Sequence, residues 1–263
     1  MITSLHSPHV EAVKALLGSR GNKARRETGS YVVESLQNVR ELLACSPSDV
    51  KTLYLTEDGR HKLSEIPLGL FEIYEVTPEV MKAMTDTVTP QGLLAIAEIP
   101  RRDISTVMSQ SLPNSKFAYF WQIQDPGNAG TIIRAADAFG FDGVFFSDES
   151  VDAFSPKVVR SSAGSHWHIP IVEDVTVEEL ITASKENGCK LFATDASASN
   201  DLLEISRESA PSRAIWIFGN EARGIPENLP ATKVSIPIQG KAESLNLATA
   251  ASVVMYAVSA ARK

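Results

Sequence analysis

IFGNEARGIP, residues Ile217–Pro226, and SIPIQGKAESLNLATAASVVMYA, residues Ser235–Ala257, decide how the C-terminal half of this chain is read. The first runs from an apolar strand, Ile215–Phe218, into Gly219-Asn220-Glu221, where a glycine lets backbone approach a ligand and a carboxylate stands at the strand's end. In the second, Val234-Ser235-Ile236 is again extended, and Pro237 removes an amide donor where the strand stops. Ser244 is placed to cap a helix from Leu245, which puts Asn246 in its first turn. Upstream, QDPGNAGTIIRAADAFG, Gln124–Gly140, carries a Pro-Gly turn that sets Asn128 at a helix start and Arg134 nearly two turns further on. The three stretches predict loops that meet at one polar site lined by backbone.

Around them strands and helices alternate from Lys116 onward. Strands are expected at Phe117–Gln122, Gly143–Phe146, His168–Val172 and Lys190–Thr194, and helices at Asn128–Phe139, Pro156–Ser162 and Val177–Asn187. Short apolar strands separated by helices imply a parallel sheet covered on both faces, with ligands bound where strands end. No GxGxxG follows a strand and no GxxxxGK[ST] occurs, which argues against an ordinary dinucleotide or Walker-type phosphate site. The first 100 residues read as a smaller α/β unit. Ser7-Pro8 opens a helix with Val10, Val13, Leu16 and Leu17 at helical spacing. Strands follow at Tyr31–Val33, Thr52–Thr56, Phe71–Val76 and Leu93–Ile99, with helices at Leu36–Ala44 and Pro78–Met84. PRRDISTVMSQSLPNS, Pro100–Ser115, is polar and lacks sustained periodicity, so the expected organisation is a unit over 1–100, a linker over 101–115 and a second domain over 116–263.

A formal charge of −7 argues against bulk, nonspecific affinity for nucleic acid, because neutralising phosphates needs clustered Lys and Arg, though local clustering can override the total. One such cluster exists: Lys14, Arg20, Lys23, Arg25 and Arg26 occur without an acid among them, and read as a local basic loop. Cys45 and Cys189 are far apart and in no metal-ligand spacing, which fits a reduced, cytoplasmic setting. His166 and His168 flank Trp167 without a third ligand at useful spacing, so no metal is expected and they read as packing or surface residues. No run of 18 apolar residues and no hydrophobic leader is found, so neither a membrane span nor an export signal is expected.

In order and in kind, the three blocks resemble the signature motifs of the SpoU/TrmH-type RNA ribose 2′-O-methyltransferases of the SPOUT class. The likeness begins weakly at KARRETGSYVVES, Lys23–Ser35, strengthens at TDTVTPQGLLAIA, Thr85–Ala97, and is specific from Gln124 to the C-terminal helix. It implies a parallel-sheet domain with a deep trefoil knot, preceded by a ribosomal-protein-like α/β domain that recognises RNA. It also implies S-adenosyl-L-methionine as cofactor, RNA as substrate and a homodimer formed through the C-terminal domain. The N-terminal extension looks like the ribosomal-RNA branch; a tRNA ribose methyltransferase and a catalytically silent RNA-binding or ribosome-assembly factor of the same fold are the alternatives.

Carried over by motif, Asn128, Arg134, Glu221, Ser244 and Asn246 are the catalytic positions, and Thr194, Gly219, Ile236, Ile238 and Leu245 the cofactor contacts. Lys23, Arg25, Arg26 and Arg160 are the RNA contacts. Arg134 matches an arginine sometimes described as the base for the ribose hydroxyl. A guanidinium has a pKa above about 12, so clamping a phosphate or stabilising an alkoxide costs less. Glu34-Ser35 stands where many relatives have Glu-Gly, and Ala222-Arg223 replaces a common glycine and adds a cation by the pocket.

Overall fold

The computed structural model describes residues 1–18, 21–209, 212–220, 223–226 and 229–261, and separates into two compact units. One comprises Met1–Arg101 and Phe154–Trp167, the other Arg102–Ala153 and His168–Lys263.

In the first unit α1 (Pro8–Leu17) starts as its sequence requires: the Ser7 hydroxyl accepts from the His9 amide and Pro8 occupies the first turn. Then come α2 (Gly21–Thr28), β1 (Ser30–Glu34), α3 (Leu36–Cys45), β2 (Val50–Leu55), α4 (Glu57–Lys62), β3 (Ile73–Glu75), α5 (Pro78–Ala83) and β4 (Leu93–Glu98). The sheet order is β1-β4-β2-β3, antiparallel except for β2 against β3. Val10, Val13 and Leu16 of α1 join Val32, Tyr54, Val80, Met84 and Leu94 in one core.

Arg20 lies outside the described residues, and the basic residues Lys23, Arg25 and Arg26 are not in a loop. Gly21–Thr28 is helical, Arg25 is only 5% exposed, and its guanidinium donates to the Leu16 carbonyl. A Cβ on Gly21 would collide with the same carbonyl, so α2 closes tightly on the end of α1. No apolar stripe marked this helix because its buried face consists of a glycine and an arginine stem. Lys23 and Arg26 remain exposed, with Lys23 3.7 Å from Glu27 in a surface pair of little energetic weight.

Segment 154–167 is built into this unit. The Trp167 indole donates to the Tyr31 hydroxyl (3.1 Å) and the Asn38 amide to the Val159 carbonyl (3.3 Å). Glu34, 4% exposed, accepts from the Asp86 amide (2.8 Å) and from the Arg160 guanidinium (3.4 Å).

The second unit runs α6 (Ile104–Ser109), β5 (Lys116–Phe120), α7 (Pro126–Ala138), β6 (Gly143–Phe146), then α8 (Pro156–Ser161) on loan to the first unit. It continues with β7 (Ile171–Val172), α9 (Val177–Glu186), β8 (Lys190–Thr194), α10 (Leu202–Ser209), β9 (Ala214–Phe218), β10 (Thr232–Val234) and α11 (Leu247–Ala260). The sheet is parallel throughout, in the order β10-β8-β9-β5-β6-β7. Residues 101–115, expected as a linker, instead carry α6. Asp103 caps it by accepting from the Thr106 amide (2.8 Å), and Ile104 and Met108 enter the second unit's core. Two apolar contacts on so short a helix leave no sustained period to read. Among the described residues no helix is long and apolar enough to cross a membrane.

Burial raises the pKa of Glu34 above its ordinary 4.5, outweighing the Asp86 amide and Arg160, which lower it. The folded chain thus holds this proton to higher pH than the unfolded chain. The stability it contributes is complete below 4.5 and is lost as pH rises through the raised value. Urea midpoints of the wild type should fall across that window more steeply than those of Glu34→Gln, and equal slopes would count against a desolvated carboxylate.

Candidate active site

The C-terminal ends of β8, β9 and β10 and the start of α11 surround a cavity of about 520 Å³, within the several-hundred-Å³ range of small-molecule sites. Thr194 and Asp195 line it after β8, Gly219 and Asn220 after β9, Ile236 and Ile238 after β10, and Ser244, Leu245 and Asn246 before α11. Every expected cofactor position therefore faces one cavity, on the carboxyl side of the sheet where parallel strands present their ligands.

Gly219 has a sharper requirement than the sequence suggested. A Cβ there would lie 2.4 Å from the Gly224 carbonyl and 2.9 Å from Ile225, because the loop folds back on itself. Asn220 and Gly224 exchange both backbone hydrogen bonds (2.9 and 2.8 Å), with Gly224 at φ 69°. The glycine thus lets the loop approach its own backbone as well as the cavity.

The helix starts fall elsewhere than expected. α7 begins at Pro126 rather than Asn128, and Asp125 caps it by accepting from the Asn128 amide (2.7 Å). Asn246, not Ser244, caps α11, its carbonyl accepting from the Ala248 and Thr249 amides (3.0 and 3.2 Å). Both asparagines are thereby fixed at helix starts, and the Asn246 amide donates to the Asn128 carbonyl oxygen across 3.2 Å, joining motifs 118 residues apart.

Arg134 lies exposed on α7, does not line the cavity, and makes no hydrogen bond or ion pair among the described residues. Asp137 pairs with His168 (2.8 Å). Glu221 lies outside the described residues. Of the RNA positions, Lys23 and Arg26 are exposed, Arg25 is turned inward, and Arg160 keeps 36% of its side chain exposed while holding Glu34.

Two features escaped the sequence reading. Asp195 accepts from the Ser197 hydroxyl and amide (2.7 and 2.9 Å) and from Lys233 (2.9 Å), which hold its pKa down to about 2. Its signal was an acid directly after a parallel strand. Gln122 joins three loops. Its carbonyl accepts from Asn220 (2.8 Å), its amide nitrogen donates to the Ser147 hydroxyl (2.7 Å), and its side chain spans Glu149 and Arg223. It does so at φ 50°, a conformation costing a non-glycine residue about 1 kcal/mol or more, for which the sequence carries no signal.

With this geometry in view, residues 116–256 match the SpoU rRNA Methylase family model, and residues 8–95 match the MRM3-like substrate binding domain. The chain belongs to the SpoU rRNA methylase family. A Bacillus subtilis relative, the 23S rRNA (guanosine(2553)-2′-O)-methyltransferase RlmP, is 33% identical over 237 residues, covering 89% of this chain and 90% of its own length. The AdoMet-bound rRNA methyltransferase from Sinorhizobium meliloti superposes with a TM-score of 0.86 at 30% identity, over 98% of this chain and 96% of the other. The SpoU methyltransferase AviRb from Streptomyces viridochromogenes, in complex with AdoMet, also gives 0.86, at 25% identity and 98% coverage of both chains. The fold of this SpoU family member is accordingly that of the SPOUT methyltransferases.

The cavity's donor set suits an adenosine bearing a cationic sulfur. Ile225, Ile236, Ile238 and Leu245 offer apolar walls, the surrounding loops offer backbone donors and acceptors, and Asp195 supplies negative charge. Gly219→Ala should therefore weaken S-adenosylhomocysteine binding at least tenfold by calorimetry, since the added methyl must displace Gly224. Unchanged affinity would show that the loop yields freely.

Proposed function

We propose that this chain transfers a methyl group from S-adenosyl-L-methionine to a ribose 2′-hydroxyl of RNA, with ribosomal RNA as the substrate. The observation that carries this reading is the contact between Asn246 and Asn128 at the cavity, which brings the first and last motifs together. Function-bearing names of the relatives support it: RlmP and the Streptomyces viridochromogenes 23S rRNA (uridine(2479)-2′-O)-methyltransferase both act on 23S rRNA.

When bound, the cofactor supplies an electrophilic methyl on a sulfonium, so that an oxygen–carbon bond forms as the sulfur–carbon bond breaks. The protein's tasks are positioning and charge. Thr194, Gly219, Ile236, Ile238 and Leu245 seat the donor. Asn128, Asn246 and Ser244 orient the acceptor ribose through short polar groups at two helix starts. Arg134 steadies the negative charge that develops on the 2′-oxygen as its proton passes to solvent water, and Glu221 orients neighbouring donors by accepting their hydrogen bonds. Lys23, Arg26 and Arg160 hold RNA phosphates, a role read in the same assay as a raised KM for RNA when they are neutralised.

We also assign the chain to a homodimer and its C-terminal segment to a deep trefoil knot. The dimer is supported by Val253 and Tyr256, 38% and 62% exposed on α11, which packs against α7 through Tyr256 and Phe139. Light scattering returning 28.5 kDa would overturn the assignment. The knot is supported by the placement of β9 inside the sheet between β8 and β5, late in the chain; resistance of α11 to being drawn out by single-molecule pulling from the C-terminus tests it. A cytoplasmic location follows from a ribosomal-RNA substrate, and export of the full chain would contradict it.

Incubation with tritiated cofactor and separately purified ribosomal RNA and tRNA should place label in ribosomal RNA as an alkali-resistant ribose methyl. Label confined to tRNA, or none, overturns the substrate or the activity. Arg134→Ala should reduce turnover at least about 100-fold, the scale of losing one preorganised stabilising donor, with cofactor affinity within a few-fold. Retained turnover removes Arg134 from the catalytic set.

A further inference from the structure

Arg223 is held in place by uncharged partners among the described residues. It is exposed, immediately beside cavity-lining Gly224, and makes no ion pair among the described residues. Its backbone amide donates to the Asn220 side-chain oxygen (3.2 Å), and one guanidinium nitrogen donates to the Gln122 side-chain oxygen (3.1 Å). The other face of that amide donates to the Glu149 carboxylate (2.8 Å). The two charges fix the amide's orientation, since a flip would set its NH₂ against the guanidinium and its oxygen against the carboxylate.

This arrangement carries conformational cost. Gln122 and Glu149 both sit at positive φ, 50° and 57°, and ordering a long side chain at a surface loses rotamer entropy. The Glu149 loop is in turn tied down by Gln124, whose amide donates to the Glu149 carbonyl (2.7 Å). Loops leaving β5, β6 and β9 thus converge to aim one exposed cation. In a chain of net charge −7, a fixed, exposed guanidinium beside the cavity, with no ion pair among the described residues, matches an oxyanion, and a guanidinium's planar fork matches phosphate.

We propose that Arg223 is a phosphate contact for the RNA substrate, positioned at the rim of the cofactor cavity by Gln122 and Glu149. The identity of the ligand as RNA rests on the methyltransferase reading; the contact itself is measured without turnover.

The experiment is binding of a full-length 23S rRNA transcript to the full chain, with S-adenosylhomocysteine present, from about 50 to about 200 mM KCl, a range over which phosphate contacts are salt-sensitive. Arg223→Ala should reduce affinity about fivefold and lower the magnitude of the log–log salt slope by about 0.7, the loss of one contact to single-stranded RNA. Arg223→Lys should keep the slope. Gln122→Gly, which suits the positive φ and removes only the amide bridge, should weaken RNA binding with calorimetric S-adenosylhomocysteine affinity within twofold. Adding Arg223→Ala to it should cost less than in the wild type, because the two act as a unit.

An unchanged slope in Arg223→Ala overturns the proposal, as does a parallel loss of S-adenosylhomocysteine affinity, which would make the residue a structural part of the loop. Full additivity in the double variant overturns the positioning role of Gln122. A wild type that binds the transcript with the predicted slope but transfers no methyl overturns the methyltransferase reading while leaving the Arg223 contact standing.

Discussion

The burial of β9 is the constraint on which the site depends. All five of its residues, Ala214–Phe218, are inaccessible, and it is hydrogen-bonded to β8 on one side and β5 on the other. Trp216 stacks on Phe192 of β8 and Phe218 on Phe120 of β5, with ring centroids 4.9 and 4.8 Å apart. Fully burying each large side chain contributes about 1.5–3 kcal/mol, and a one-residue slip would turn every one of them to the opposite face. Register in the middle of the sheet therefore leaves no freedom at its carboxyl end. Gly219 emerges at a fixed height beside Thr194, and the loop has room only to double back on Gly224.

On this rigid edge the chemistry is divided between charge and backbone. The cavity holds an ionised Asp195 paired with Lys233, apolar walls and an asparagine, Asn246, committed to a helix cap. Asn246 spends its carbonyl on two amides of α11, which orients its NH₂ outward to Asn128. The cap that stabilises the helix is the same feature that brings the polar group to the site. That economy explains why a helix begins two residues later than a serine-led reading would place it.

Much of this was legible. Strands such as Gly143–Phe146 and Lys190–Thr194 appear where apolar runs announced them, because a two-sided buried strand has to be continuously apolar. The positions that line the cavity were legible as motif members. What failed were features whose signal is not periodic. Helices α2 and α6 bury a glycine, an arginine stem and two apolar side chains, too little to make a stripe. Ser244 carried the right side chain for capping, but Asn246 competes for the same work and wins by position. Gln122 was invisible in principle: nothing in its type announces a left-handed backbone, and its partners lie 27 and 101 residues away.

The loan of residues 154–167 to the first unit sets how such a protein can change over generations. Tyr31, Asn38 and Glu34 bind backbone or side chains encoded well over a hundred residues downstream. A genetic exchange that brought in a foreign N-terminal half would meet a helix shaped for its predecessor, so recognition and catalysis are inherited together rather than shuffled as separate cassettes.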